Sequence, residues 1–396
     1  MKIFAGLLLV ALRMTFGGAP CPSIWGVISE VITDIGNSLL QNDFWDHSEL
    51  HDHISDQIEA PISVPDSIPF HQARDLSVEI PVNDRGKIDI YIDDSIGIAP
   101  DIADSPIRVI RAIPLAIRTV ARPNSNRDVI PRKDIISLKK LQVEGQPSET
   151  KTVLGWTLDM RRLLIALPEH KVTDWLRDID SILLAKKVHY KLLESIMGRL
   201  NHVACIIQPM RPFMSRLYRA YFRAKARLGW TSLSNHELSD LTTHADFLQY
   251  AKRGFSLNNV AFRKPTLIYC SDASEFGMGG YNAITGRAWR WELPLELHLR
   301  TSINSLEFLS SIITIWIDIS LGIIQPEDCI LSQTDSSLAA GWLRKTNFAD
   351  SQDEEIQLQT AKKLATLLID SQSCIYSQWF LGELNNVSDS LSRDFH

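Results

Sequence analysis

From Gly86 to Pro100 apolar and polar positions alternate: Ile88, Ile90 and Ile92 are interleaved with Asp89, Tyr91 and Asp93. A period of two marks a strand with one apolar and one polar face. The alternation resumes after Asp94 and Ser95 through Ile96 and Ile98, so the segment reads as a hairpin with Asp93 and Asp94 at its tip. Upstream, a Phe-Gly-Gly-Ala-Pro turn leads into Ile24, Val27, Ile28, Val31, Ile32 and Ile35, which recur at helical spacing. Residues 148–176 read strand, turn, strand, helix, and residues 263–294 read as three consecutive antiparallel strands, the first ending at Asp272. A helix follows over 302–317, with Leu306, Leu309, Ile313 and Trp316 expected toward the core and Glu307 on its border. A strand ending at Asp335, an amphipathic helix over 353–372 and a last strand over 374–382 come next, and Asp389 stands at the start of a closing helix.

With 396 residues, 45% of them hydrophobic, the chain is long enough for two or three domains with substantial cores. The net charge of −6 argues against a uniformly basic nucleic-acid binder, yet it hides a local reversal. Between Lys191 and Arg227, eight cations (Lys191, Arg199, Arg211, Arg216, Arg219, Arg223, Lys225, Arg227) face a single acid, Glu194, with Tyr218, Tyr221 and Phe222 interleaved. Such a helix suits either a phosphate backbone or a solvated face whose aromatics point inward, and the first is the expectation. The five cysteines are scattered without disulfide or metal-ligand spacing, which fits a reducing, intracellular compartment, cytoplasm or nucleus. The opening "MKIFAGLLLVAL" has the outline of a signal peptide, but Arg13 follows at once and the run is too short to span a membrane. A buried strand or helix is the expectation, with no secretion and no membrane partner. Residues 42–86 are acidic and proline-containing, with a cluster of Asp46, His47, His51, Asp52 and His53. A solvated, partly ordered insertion is expected there rather than a transition-metal site.

The acids carry the chemistry. Asp93 and Asp94 suit either a polar turn or a divalent metal at a strand end. Asp272, Glu307, Asp335 and Asp389 terminate strands or sit on helices beside them. Four carboxylates on one sheet edge can hold two magnesium ions, since that ion prefers hard anionic oxygens and keeps waters, one of which becomes the nucleophile.

Several of these motifs resemble reverse transcriptases of retroelements, in particular the gypsy-like long-terminal-repeat and tyrosine-recombinase groups. The Phe-Gly-Gly-Ala-Pro turn, Tyr91-Ile92-Asp93-Asp94, and the hairpin carrying Lys151, Leu154, Gly155 and Leu158 are similar to that family's palm and thumb motifs and stand in its order. Asp272 to Gly280 ("DASEFGMGG"), Glu307, Asp335 and the run Asn386, Asp389, Leu391 to Arg393 resemble the attached ribonuclease H domain. The resemblance implies an α+β fold: a partial palm over 1–170 with the insertion 42–86, thumb or connection helices over 171–254, and over 255–396 an α/β ribonuclease H-like domain with a mixed five-stranded sheet. It implies magnesium or manganese held by Asp272, Glu307, Asp335 and Asp389, and at a polymerase site by Asp93 and Asp94. It implies contacts to an RNA–DNA hybrid or template–primer from Lys151, Arg216, Arg219 and Arg223. The family's first catalytic aspartate lies on a palm strand upstream of the glycine turn. Only twelve residues precede Arg13 and none is acidic, so an N-terminally truncated polymerase, inactive as it stands, is expected. Many relatives carry a histidine on the last strand where this chain has Trp379. Two rivals stay open: a non-catalytic nucleic-acid-binding remnant of a retroelement, and a secreted protein led by residues 1–17.

Overall fold

The structure is a computed structural model that describes residues 2–4, 7–9, 21–59, 65, 67–72, 85–92, 94–129, 133–227, 229–294, 301–343, 348 and 353–394. The chain forms two compact units, one of Met1–Ser67 with Ile80–Glu149 and one of Ile68–Glu79 with Thr150–His396.

In the first unit β1 (Lys2–Phe4) pairs antiparallel with β2 (Leu7–Leu9), and α1 (Cys21–Gln41) packs on a hairpin of β3 (Lys87–Tyr91) and β4 (Asp94–Ile98). Its described residues also form a 3-10 turn over Ser55–Gln57 and two further α-helices, α2 (Ser105–Val120) and α3 (Leu138–Glu144). The alternation expected around Asp94 is the observed hairpin, with Tyr91 opposite Asp94 and Ile92 in the left-handed region at φ 57°. The glycine turn at 16–20 lies outside the described residues. Helix α1 turns a different face inward than its apolar spacing predicts. Ser29, Ile32, Gly36, Asn37 and Leu40 are buried while Val27 and Val31 are exposed. The reason is a close approach and a clamp: a Cβ on Gly36 would stand 3.0 Å from Ile88 Cδ1, and the Asn37 amide both donates to Ile88 O (2.9 Å) and accepts from Ile88 N (2.9 Å).

Residues 42–59, expected as a solvated insertion, are instead held against α2 by its arginines. Arg108 donates to Trp45 O (3.0 Å) and stacks over the Trp45 ring, Arg111 donates to His47 O (2.9 Å), and Arg118 pairs with Asp52 (2.9 Å). The histidines there serve the same packing: His51 pairs with Asp56 and His47 with Asp104. Among the described residues they form no metal-ligand cluster.

The second unit begins with β5 (Thr150–Val153), β6 (Trp156–Asp159) and β7 (Leu164–Ala166), one strand more than the pattern suggested. The turn between β5 and β6 needs positive φ at Leu154 (48°) and Gly155 (85°), which glycine adopts without steric cost. Helices α4 (Glu169–Ala185), α5 (Tyr190–Ile206), α6 (Met214–Ala226) and α7 (Asn235–Arg253) follow, with the short pair β8 (Lys187–His189) and β9 (Trp230–Ser232). The basic stretch is thus two helices, broken by a 3-10 turn over Gln208–Phe213 that contains Pro209 and Pro212. Strand β10 (Phe255–Ser256) pairs with β7, which ties the first hairpin of this unit to the chain far downstream. The chain passes between the two compact units around Ile68–Glu79 and again at 149/150, and in the second unit one apolar core takes in residues from Trp156 to Leu368.

A mixed five-stranded sheet is built from β11 (Leu267–Ala273), β12 (Gly277–Asn282), β13 (Ala288–Glu292), β14 (Cys329–Thr334) and β15 (Cys374–Trp379), in the order β13-β12-β11-β14-β15. The first three are antiparallel, while β11, β14 and β15 run parallel. Helix α8 (Ile303–Ser320) packs on β11 and β12; α9 (Ser337–Trp342) follows β14; α10 (Glu354–Ser371) packs on α8; and α11 (Asn386–Arg393) lies on β12 and β11. By length and composition alone α8 is apolar enough to cross a membrane, but most of it is buried in this core. Its rotation differs from the expectation. Leu306, Phe308, Ile312 and Ile315 are buried, Trp316 is 45% exposed, and Glu307 lies inside at 7%. A helix covered by the sheet on one side and α10 on the other is apolar nearly all round, and its sequence then does not reveal which face the charge takes.

Candidate metal centre

Parallel pairing aligns the two strand-end aspartates. Cys270 of β11 lies opposite Gln333 of β14. Asp272 and Asp335 each follow two residues later, so both leave the same end of the sheet. Glu307 reaches that end from the second turn of α8. The entry of α8 is fixed from outside: Asp353, just before α10, accepts from Ser302 N (2.9 Å), Ser302 Oγ and Ser305 Oγ (2.9 Å). Burial acts to raise the Asp353 pKa, yet these hydrogen bonds hold it below its usual value. Farther along α8, Ser310 Oγ donates to the carbonyls of Asp272 (2.9 Å) and Gly279 (3.1 Å), locking the helix to the strand that carries the first acid.

Helix α11 closes the third side. Ser392 Oγ donates to Asp272 Oδ2 at 2.5 Å, Ser274 Oγ donates to Ser392 O at 2.7 Å, and Asn385 Nδ2 donates to Ser271 O at 3.3 Å. The helix approaches β12 so closely that a Cβ on Gly279 would stand 2.5 Å from Leu391 Cβ. The glycine is therefore required by packing against α11.

The result is a cluster in which carboxylate oxygens of Asp272, Glu307 and Asp335 all lie within 4.8 Å of one another, the first two residues buried and the third half-buried. Among the described residues no lysine, arginine or histidine is ion-paired with any of the three. Burial, then the charges of Asp272 and Asp335, push the Glu307 carboxyl up to about 9. Burial also raises Asp272; the Ser392 hydroxyl opposes this, and the charges of Asp335 and Asp389 add to it. Like charges gathered out of water without a counter-charge are unfavourable unless a cation joins them. Three carboxyl groups, with no sulfur or imidazole among them, make a group that could hold a metal ion.

The other expected site residues stand as follows. Asp389 is not part of the cluster; its carboxylate turns to Arg393 Nε at 2.8 Å. Its charge still acts on Asp272. In the first unit Asp94 is ion-paired with Lys140 at 2.5 Å, and Asp93 lies outside the described residues. Lys151 lies on β5 opposite Leu158.

The arginines expected to track phosphates each have an acidic partner within the unit. Arg216 is 9% exposed and pairs with Glu355 (2.6 Å), Glu354 (3.4 Å) and Asp240 (3.8 Å). Arg223 spans Glu237 (3.1 Å), Thr231 (3.0 Å) and the carbonyl of Ser232 (3.1 Å). Arg219 binds Glu354 too, although it remains largely in solvent. These cations join α6 to α7 and α10 inside the unit. Asp240, buried among them, is pushed up to about 7, mainly by burial. The sequence reading missed Ser392, Ser310 and Asp353 as supports of the cluster. The "LSR" run and the serines at 302 and 305 were the available signals.

The sequence matches no known family model and no curated protein. Among solved structures it is similar to three of the foamy viral protease–reverse transcriptase. One is the complex with an RNA/DNA hybrid, at 17% identity and TM-score 0.31 over 76% of this chain and 36% of that chain. The second is the complex with dsDNA, at 15% identity and TM-score 0.32 over 74% of this chain and 55% of that one. The third is the native Prototype Foamy Virus protein, at 18% identity and TM-score 0.21 over 76% of this chain and 35% of that one. The likeness is loose, and the chain spans between about a third and about half of the length of those proteins.

Proposed function

We propose that the second unit is a metal-dependent nuclease that cuts the RNA strand of an RNA–DNA hybrid, the activity of a retroelement-type ribonuclease H. The observation that carries it is the buried carboxylate cluster of Asp272, Glu307 and Asp335 at one end of a mixed five-stranded sheet. Such a cluster suits divalent magnesium or manganese, and a bound ion of this kind activates water and stabilises the charge that develops on the departing oxygen. The chain's own part is to hold that charge in place. Asp272 and Asp335 project from adjacent parallel strands, Glu307 is fixed by the anchored start of α8, and Ser392 orients Asp272. Asp389, near Asp272 but paired with Arg393, adds negative charge at the rim and on exchange of partner completes the acidic set. The 2′-hydroxyl distinguishes RNA from DNA at the cut.

We infer no templated synthesis by this chain. Asp94, one of the two hairpin aspartates, is ion-paired with Lys140 at 2.5 Å, and among the described residues it joins no cluster of acids able to hold a metal.

The experiment is a hybrid labelled on each strand in turn. With magnesium or manganese the RNA strand shortens and the DNA strand survives; with chelator neither changes. A folded protein that binds the hybrid and cuts neither strand with either ion defeats the proposal in favour of a non-catalytic nucleic-acid-binding protein.

A further inference from the structure

Trp379 ends β15 and lies opposite Thr334, the residue before Asp335. Its indole Nε1 donates to Asp335 O at 2.7 Å, yet the residue is 50% exposed. The indole is thus pinned by its polar edge beside the acidic cluster while much of its apolar surface stands in water. A singly exposed apolar side chain is ordinary; this one is distinguished by being held by a hydrogen bond to the backbone of an acid of the cluster. Among the described residues no aromatic ring or cation packs on it. Leu381 and Leu384, which follow it in the chain, are likewise 56% and 69% exposed.

Resting on the nuclease proposal, we infer that Trp379 is a substrate-binding residue whose ring lies against the sugar of the cleaved strand, at the nucleotide next to the scissile bond. The sugar is favoured over the base on simple grounds. In a hybrid duplex the bases are stacked inside, whereas the wide, shallow minor groove displays the sugars and their 2′-hydroxyls. A flat indole offers an apolar surface to the carbon face of a sugar. The hydrogen bond to Asp335 O holds the ring ready, so little side-chain freedom is lost on binding. The same bond couples the sugar contact to the backbone of a metal-binding aspartate, which sets the distance between the bound nucleotide and the acids.

The test uses the full chain and an RNA–DNA hybrid. Binding is measured by anisotropy with calcium in place of magnesium, and cleavage is measured separately with magnesium. Trp379→Ala is expected to raise both Kd and KM about 5- to 10-fold, with kcat changed less than about threefold, the range of an aromatic contact. Trp379→Phe keeps the ring and is expected to bind within about threefold of wild type. Hybrid binding should also quench tryptophan fluorescence in the wild type by an amount missing in Trp379→Phe. This readout serves even if the alanine variant melts early. Unchanged Kd, KM and quenching in a wild type that does cleave overturn the inference and leave the nuclease proposal standing. A hybrid with an abasic ribose at the nucleotide next to the scissile bond that loses its dependence on Trp379 overturns the sugar contact in favour of base stacking. A wild type that binds hybrid but never cuts it overturns the nuclease proposal itself.

Discussion

Replacing Glu307 with Gln removes a buried charge while nearly keeping the shape of the side chain, and its effect on stability has a definite sign. The Glu307 pKa is raised from 4.5 to about 9 in the folded, metal-free protein. A raised folded value means that the stability this group contributes is complete below pH 4.5 and is lost as pH climbs toward about 9. At pH 7 the solution lies about 2.5 pH units above the ordinary value, and each unit is worth about 1.4 kcal/mol. The wild type is therefore less stable than it would be with a neutral residue there by something on the order of 3 kcal/mol. That figure is a ceiling, because Asp272 shares the charge of the cluster. Glu307→Gln should thus match the wild type at pH 4 and exceed it at pH 7 when both are unfolded by urea in the presence of chelator. Saturating magnesium should narrow or reverse the difference, because an ion that binds only the folded wild type stabilises it by mass action. A stability difference that is the same at pH 4 and pH 7, or a wild type more stable than the variant at pH 7 without metal, refutes the account of the cluster's charge.

Two further expectations follow from the packing. Arg216→Ala leaves Asp240, Glu354 and Glu355 without their shared cation and should destabilise the protein by about 3 kcal/mol. The salt dependence of hybrid binding should stay unchanged, whereas a lost phosphate contact would flatten the slope of log K against log salt by about 0.9; titration at several salt concentrations decides. Gly279→Val forces α11 away from β12 and with it Ser392 away from Asp272, so it should cost about 1–3 kcal/mol by overpacking and lower hybrid cleavage at least about tenfold. Melting and activity that match wild type would show that α11 does not set the geometry of Asp272.

What the chain revealed in advance, and what it hid, divides along physical lines. The hairpin at 87–98 was legible because alternation of period two is local, whereas the mixed five-stranded sheet, whose central strands are buried on both faces, was expected from the resemblance of its motifs. The acids at 272 and 335 were legible because each stands where an apolar strand stops. The burial of Glu307 was hidden, since α8 is covered on two sides and carries no clear polar stripe. The ion pairs of the α6 arginines were hidden because the acids that pair with Arg216 and Arg219 lie more than a hundred residues downstream, on α10. Only the tertiary fold brings Glu354 and Glu355 to them. The pairing of Asp389 with Arg393 was one helical turn away and visible in principle, but its motif suggested metal ligation first.

The central claim is that Asp272, Glu307 and Asp335 hold the ion that cuts RNA. The most direct measurement compares wild type with Asp272→Asn on one RNA–DNA hybrid in magnesium, following RNA cleavage and hybrid binding in parallel. Asp272→Asn keeps the size of the side chain and its hydrogen bond with Ser392 but removes the charge. The account predicts rapid loss of intact RNA with the wild type and none with the variant, at equal hybrid affinity. Cleavage by Asp272→Asn at the wild-type rate would contradict it.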